Sequence, residues 1–188
     1  MTRVVLERPG VVEVDGDVNV RPSHPDEALV RLRLGGLCGS DLAAYRGTSP
    51  HVRYPRVLGH ELLVDVLTCR SRPELCGKRA IVDPMIRCGR CRACRLGRYN
   101  ACEYLQVMGV HVDGGFQDPW LVRADSLFTV PDTVPDNAAV LAEPLGSSAL
   151  PMIGVRAVSA VPRPWWVTRR GGRAVGAGRS WRGRTSSV

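Results

Sequence analysis

No stretch of the 188 residues is apolar enough over enough length to span a bilayer, and the amino terminus, MTRVVLERPG, meets charge and proline at once. These two absences exclude a membrane helix and a secretory leader from the expectation, and they predict a cytoplasmic protein. Internal repeats are lacking as well, and helical periodicity is scarce. Acidic residues are missing altogether from residues 151–188, which hold eight Arg and three of the four Trp, whereas residues 1–150 balance 18 basic against 18 acidic side chains. The net charge of +8 therefore belongs to the tail. It does not mark the body as a nucleic-acid-binding domain.

What is present reads as short strands broken by turns. TRVVLER, VVEVD and ALVRLRL precede GLCGSDLAAYRG, where Gly36 and Gly39 punctuate a turn and Ser40 or Asp41 can cap a brief helix running toward Tyr45. Further strands are expected in YPRVLGHELLVDVL, with Pro55 outside it and an apolar run after Glu61, and in RAIVDP, WLVR and LFTV, with helical signals returning only at DTVPDNAAVLAEPL. The pattern predicts a mainly β fold with short helices, closed into a small, partial barrel. The chain has room for one well-buried domain with an appendage, and too little for two full domains of a large enzyme.

Seven cysteines are an odd number, and four of them cluster. Cys88, Cys91, Cys94 and Cys102 follow C-x2-C-x2-C-x7-C, a spacing that lets four thiolates close a tetrahedron around one Zn2+. Four sulfurs saturate the metal, so this zinc is expected to hold a loop in shape without doing chemistry. Arg87, Arg90, Arg92, Arg95 and Arg98 interleave the thiolates and offset their charge. Two disulfides or unpaired buried thiols are the competing readings, disfavoured because cysteines spaced so closely bridge poorly.

A second set is spread more widely. Cys38 in GLCGSD, with His60 and Glu61 in VLGHE, supplies soft and borderline donors, and Glu143 in AEPL can add an oxygen. Three protein ligands with an open position is the requirement of a catalytic zinc. Taken singly, each has an ordinary explanation as a core thiol, a surface pair or a helix end.

Together, and in this order around the four-cysteine loop, these segments resemble the zinc-dependent medium-chain alcohol dehydrogenases, in the branch that includes sorbitol, threonine and sugar-acid dehydrogenases. GLCGSDLAAYRG, YPRVLGHE, CGRCRACRLGRYNAC, GVHVDGGF and LAEPL carry the resemblance, which covers residues 1–146. It implies a GroES-like catalytic domain over 1–146 with two zinc ions per chain. Cys38, His60 and Glu143 match the ligands of the catalytic zinc, and Glu61 the glutamate beside the metal or exchanging with a ligand. Ser40 matches the hydroxyl that relays the alcohol proton, and Asp41 the carboxylate that orients the histidine. In that family zinc binds the oxygen of a small-molecule alcohol, a polyol or sugar acid, and hydride passes to NAD(P)+.

The sequence departs from the family in places. Ala43 stands where the family usually has a histidine five residues after the cysteine ligand, and GGFQDP replaces G-G-F-x-E-Y. Cys69 and Cys76 match no family position and are expected to be core or surface thiols. Beyond EPL the family continues into a Rossmann domain built from βαβ units, whereas VGAGRSWRG has neither a strand before it nor a helix after it. The expectation is therefore a truncated chain, inactive alone, whose Arg/Gly/Trp-rich residues 147–188 are disordered and resemble a frame-shifted gene end. Activity would then need a separate dinucleotide-binding partner chain, and a homo-oligomer is compatible with the pattern. A non-catalytic zinc-binding remnant is the alternative. A zinc ribbon with a basic nucleic-acid-binding arm is disfavoured by the neutral body.

Overall fold

β1 (Thr2–Arg8) and β2 (Val11–Asp15) form an antiparallel hairpin across the Pro9–Gly10 break, tied at its open end by an Arg3–Asp15 ion pair. The computed structural model describes residues 2–16 and 20–146. The tail from 147 to 188, expected to be disordered, lies outside the described residues. After β3 (Glu27–Gly36) the chain enters α1 (Gly39–Tyr45), then β4 (Arg56–Val57) and β5 (Glu61–Cys69). β6 (Arg79–Val82), β7 (Met85–Ile86), α2 (Arg92–Arg95) and β8 (Gln106–Val107) follow. β9 (Gln117–Asp118), β10 (Trp120–Arg123), β11 (Leu127–Thr129) and α3 (Asp136–Ala139) complete the labelled elements.

The expected mainly β, partly closed barrel is what these elements build. β10, β3, β5, β6 and β11 lie side by side in one sheet, while β2, β1, β4 and β9 make a second and β7 pairs with β8. Every ladder between these strands is antiparallel.

The central strand β5 runs through three consecutive apolar residues, Leu62, Leu63 and Val64, where β3 alternates. Leu62, Val64 and Val66 point into the main core with Val30, Val82, Trp120 and Leu127. Leu63 points the other way, into a smaller cluster with Ala139 and Val140 beside α3. With both faces covered, period-two alternation has no reason to appear. β3 has one wet face: Ala28 and Val30 are fully buried while Arg31 and Arg33 reach outward.

Arg33 and Arg79 anchor α3 to the sheet. Arg33 Nε donates to Asp136 at 2.6 Å, Arg79 pairs with the other oxygen of the same carboxylate, and Arg79 also donates to Pro131 O (2.9 Å) and Val134 O (3.1 Å). The Arg33 guanidinium, then that of Arg79, holds the Asp136 carboxyl below the usual carboxylate range. No helix among the described residues is long and apolar enough to cross a membrane.

Candidate metal centres

The four-cysteine segment hangs between β7 and β8 as a lobe whose interior is Cys91, Cys94 and Cys102, with Cys88, Ala93 and Leu105 packed against them. None of the seven cysteines is in a disulfide. All four Sγ atoms of the lobe lie within 4.8 Å of one another; Cys88 Sγ is 3.6 Å from Cys102 Sγ and 4.0 Å from Cys94 Sγ. A tetrahedron with Zn–S bonds of about 2.3 Å has edges of about 3.8 Å, so the sulfurs already stand at coordination spacing.

Backbone amides point at the sulfurs, which favours thiolate: Cys91 N–H reaches Cys88 Sγ (3.3 Å), Cys94 N–H reaches Cys91 Sγ (3.5 Å) and Cys88 N–H reaches Cys102 Sγ (3.5 Å). The amides of Cys94 and then Glu103 lower the Cys91 thiol to about 6, and the amide of Cys88 lowers Cys102. Burial instead pushes Cys94 up to about 12. Such a cluster fits a divalent cation that displaces the thiol protons. Of the interleaved arginines, Arg87 is committed elsewhere: it pairs with Asp83 and lies over the Tyr99 ring at 5.3 Å.

The second group forms where β3 ends and β5 begins. Gly36 pairs with Glu61 across the two strands, which brings Cys38, two residues further on, back over His60 and Glu61. Donor atoms of Cys38, His60 and Glu61 lie within 4.8 Å of one another, and both His60 and Glu61 are buried. A side chain at 36 would collide with the Glu61 carboxylate, its Cβ standing 3.0 Å from Glu61 Cβ and 3.2 Å from Cδ. Glycine leaves that carboxylate its place.

The grouping holds two of the three expected ligands together with the glutamate expected beside the metal. Glu61, placed by the sequence beside the metal, stands with Cys38 and His60, while Glu143 is half-buried at 142–146 and outside the group. Strand register is the reason: Glu61 is the first residue of β5 and its position is dictated by Gly36.

The expected helix cap is corrected. Cys38 is the N-cap of α1 and neither Ser40 nor Asp41 is, because the Cys38 carbonyl already accepts from Asp41 N (3.1 Å) and Leu42 N (3.3 Å). Asp41 instead reaches back, its Oδ2 accepting the Cys38 N–H at 2.9 Å. Both residues also address the His60 ring. Ser40 Oγ is 3.5 Å from Nε2, and Asp41 Oδ1 is 3.6 Å from Nδ1. Nδ1 is buried without a hydrogen-bond partner among the described residues, so its proton has one natural acceptor, the buried Asp41 carboxylate. That tautomer leaves the Nε2 lone pair free for a metal. Thiolate, imidazole and carboxylate converging with one ring nitrogen spare is a donor set that fits zinc.

Cys69 is buried at the end of β5 and Cys76 is exposed, neither belonging to a donor cluster. Sequence reasoning missed the contribution of residues 109–116, whose backbone braces the segment before His60; the glycines at 59, 109 and 114 were its only signal. An apolar cavity of about 310 Å3 adjoins the back of Asp41, lined by Val4, Leu6, Leu37, Leu42 and Phe116.

Comparison with known proteins places the chain in a family. Residues 24–132 match the alcohol dehydrogenase GroES-like domain. A zinc-type alcohol dehydrogenase-like protein of Haemophilus influenzae is 43% identical over 145 residues, covering 76% of this chain and 42% of that protein. L-galactonate-5-dehydrogenase of Escherichia coli is 38% identical over 126 residues, covering 66% of this chain and 37% of its own length. Among solved structures, the alcohol dehydrogenase rspB of E. coli CFT073, complexed with NADH, superposes with a TM-score of 0.73 at 36% identity, over 79% of this chain and 44% of that one. The chain thus spans about two-fifths of the length of these relatives. With the matched segment running from β3 to just past β11 and enclosing Cys38, His60, Glu61 and all four clustered cysteines, the chain belongs to the family of alcohol dehydrogenase GroES-like domains.

Proposed function

We propose that residues 1–146 are the zinc-binding, substrate-holding part of an NAD(P)-dependent oxidoreductase acting on a polyol or sugar acid, with one zinc in each centre. The convergence of Cys38, His60 and Glu61 within 4.8 Å carries this proposal. L-galactonate-5-dehydrogenase and the NADH-complexed rspB structure, both more than 35% identical to this chain, support the substrate class and the cofactor. When bound at this centre, zinc supplies a Lewis acid that polarises a substrate hydroxyl.

The chain's own residues do the rest. Asp41 holds His60 in the Nδ1–H tautomer, and Cys38 is fixed by its N–H on the same carboxylate. Ser40 Oγ, beside Nε2, is placed to take the proton that the hydroxyl loses. Ala43 cannot pass that proton on, and Ser40 is itself exposed, so the proton leaves from Ser40 directly to solvent.

The hydride acceptor must come from outside the described residues, whose antiparallel ladders contain no βαβ unit. Val12 and Leu37 are 49% and 74% exposed, and together with Leu42 and Tyr45 they offer an apolar face for a dinucleotide-binding portion or a further copy of the chain to cover.

Metal analysis of the 188-residue polypeptide is expected to give two zinc ions per chain, and addition of NAD+ or NADP+ with polyols or sugar acids to give no turnover. With cobalt in the mixed centre, a polyol or sugar acid is expected to shift the visible spectrum. One zinc per chain, or a spectrum indifferent to every member of the panel, would refute the proposal.

A further inference from the structure

The backbone leading into His60 is clamped by a loop that supplies no ligand. Three consecutive carbonyls are taken by three consecutive amides: Gly114 N–H donates to Val57 O (2.8 Å), Phe116 N–H to Leu58 O (3.0 Å) and Gly115 N–H to Gly59 O (3.0 Å). The approach is as close as backbones permit. A Cβ on Gly114 would strike Gly59 O and stand 2.6 Å from Leu58 O and 2.7 Å from Gly109 Cα, all main-chain atoms that cannot rotate away. A Cβ on Gly109 would stand 2.9 Å from Gly59 N. Gly59 itself has φ +97°, with the Phe116 ring against the position of its absent side chain. Gly114 has no left-handed φ, so glycine is needed there for space alone.

We propose that Gly114 is a positioning residue for the mixed metal centre. Its missing side chain lets the 109–116 loop close on 57–59, and that closure sets where the His60 imidazole stands relative to Cys38 and Glu61. The inference rests on the reading that these three residues hold zinc. A methyl group at 114 pushes on the carbonyls of Leu58 and Gly59 and displaces His60, while none of the four clustered cysteines takes part in the clamp.

The test is Gly114→Ala in the 188-residue chain, with Gly77→Ala as control. Gly77 has φ +75° and open space around it, so alanine there strains the fold without touching either centre. Zinc affinity at each centre is measured by competition with a chromophoric chelator, and the cobalt spectrum identifies which centre has lost metal. Gly114→Ala is expected to weaken the mixed centre about 10- to 100-fold, the range for groups supporting metal ligands, with the four-cysteine centre unchanged. Gly77→Ala is expected to lower Tm and leave both affinities alone.

Gln117→Ala is a gentler perturbation of the same loop, because Gln117 Nε2 donates to Gly114 O at 2.6 Å. It carries the test should Gly114→Ala not fold, and a several-fold loss confined to the mixed centre is expected. Loss of affinity at both centres in step with Tm, or none at the mixed centre, overturns the proposal. Should the unsubstituted chain bind zinc only at its four cysteines, the metal reading itself fails and this inference falls with it; two zinc ions in the unsubstituted chain and an unaffected variant would sink the inference alone.

Discussion

Asp41→Asn is the sharpest probe of the mixed centre, because it changes charge and hydrogen-bond direction while keeping shape. The native carboxylate works with both oxygens: Oδ2 accepts from Cys38 N–H at 2.9 Å and Oδ1 faces His60 Nδ1 at 3.6 Å. An amide has one acceptor oxygen. If that oxygen stays on Cys38 N–H, the NH2 group faces Nδ1 and favours the tautomer whose proton sits on Nε2, which closes the lone pair needed by zinc. If the amide flips, Cys38 N–H meets a donor instead. Asp41 is only 3% exposed, so water does not readily replace either contact. Loss of such an orienting partner weakens metal binding about 10- to 100-fold, or about 1.4 to 2.7 kcal/mol. Chelator competition reads the affinity, and nitrogen-15 shifts of the His60 ring in the metal-free chain read the tautomer. A variant with native zinc affinity at the mixed centre and an unchanged Nδ1–H tautomer would refute the reasoning, since Asp41 would then be a helix-terminus carboxylate and nothing more.

Glu61→Gln is expected to reduce zinc from two ions to one per chain on dialysis against a mild chelator, and Glu143→Gln to leave two; the reverse outcome would restore Glu143 as the third ligand. Stronger chelation should open the lobe from Cys88 to Cys102 to trypsin at its exposed arginines before the main sheet melts, because sulfur supplies most of that lobe's interior; simultaneous loss of both would contradict this. The Asp136 carboxyl is held low by Arg33 and Arg79, so its stabilising contribution is complete above its unfolded value and is lost as pH falls through the lower folded one. Asp136→Asn should therefore lower Tm near neutral pH and flatten its acid limb, and an unchanged acid limb would count against the anchoring of α3.

Much of the fold was legible because the long strands advertise themselves. β1, β2, β3 and β5 carry five or more residues each, enough for alternation or an apolar run to stand above noise, and all four were anticipated. β4, β7, β8 and β9 contribute two residues apiece, and nothing local marks them; they exist because tertiary closure brings their partners alongside. The four-cysteine centre was legible for the opposite reason, since its ligands lie within fifteen residues and spacing alone suffices. For the mixed centre, Cys38, His60 and Glu61 were visible as types, but the register that sets Glu61 beside the other two was not. That register is a pairing between residues 25 apart whose bulges between Leu29 and Val30 and between Leu32 and Leu34 no local pattern announces.

The two centres also differ in what holds their ligands, and the difference sorts their roles. Around the four-cysteine centre the protein offers short turns and amides aimed at sulfur, so a bound metal would organise the peptide and its removal would leave little to keep the lobe shaped. Around the mixed centre the order is inverted. Gly36 and Glu61 are register partners in a five-stranded sheet, Asp41 sits in a helix turn bonded to Cys38, and the three carbonyls of 57–59 are engaged by backbone amides without any metal. A site built in that way can keep its geometry while a ligand position stands vacant, which is what exchange of one oxygen guest for another requires. Coordination that organises its own support cannot offer this, because opening one position would release the support as well. On the proposed function, a structural metal would sit where the backbone needs holding and the open donor set where the backbone is already held.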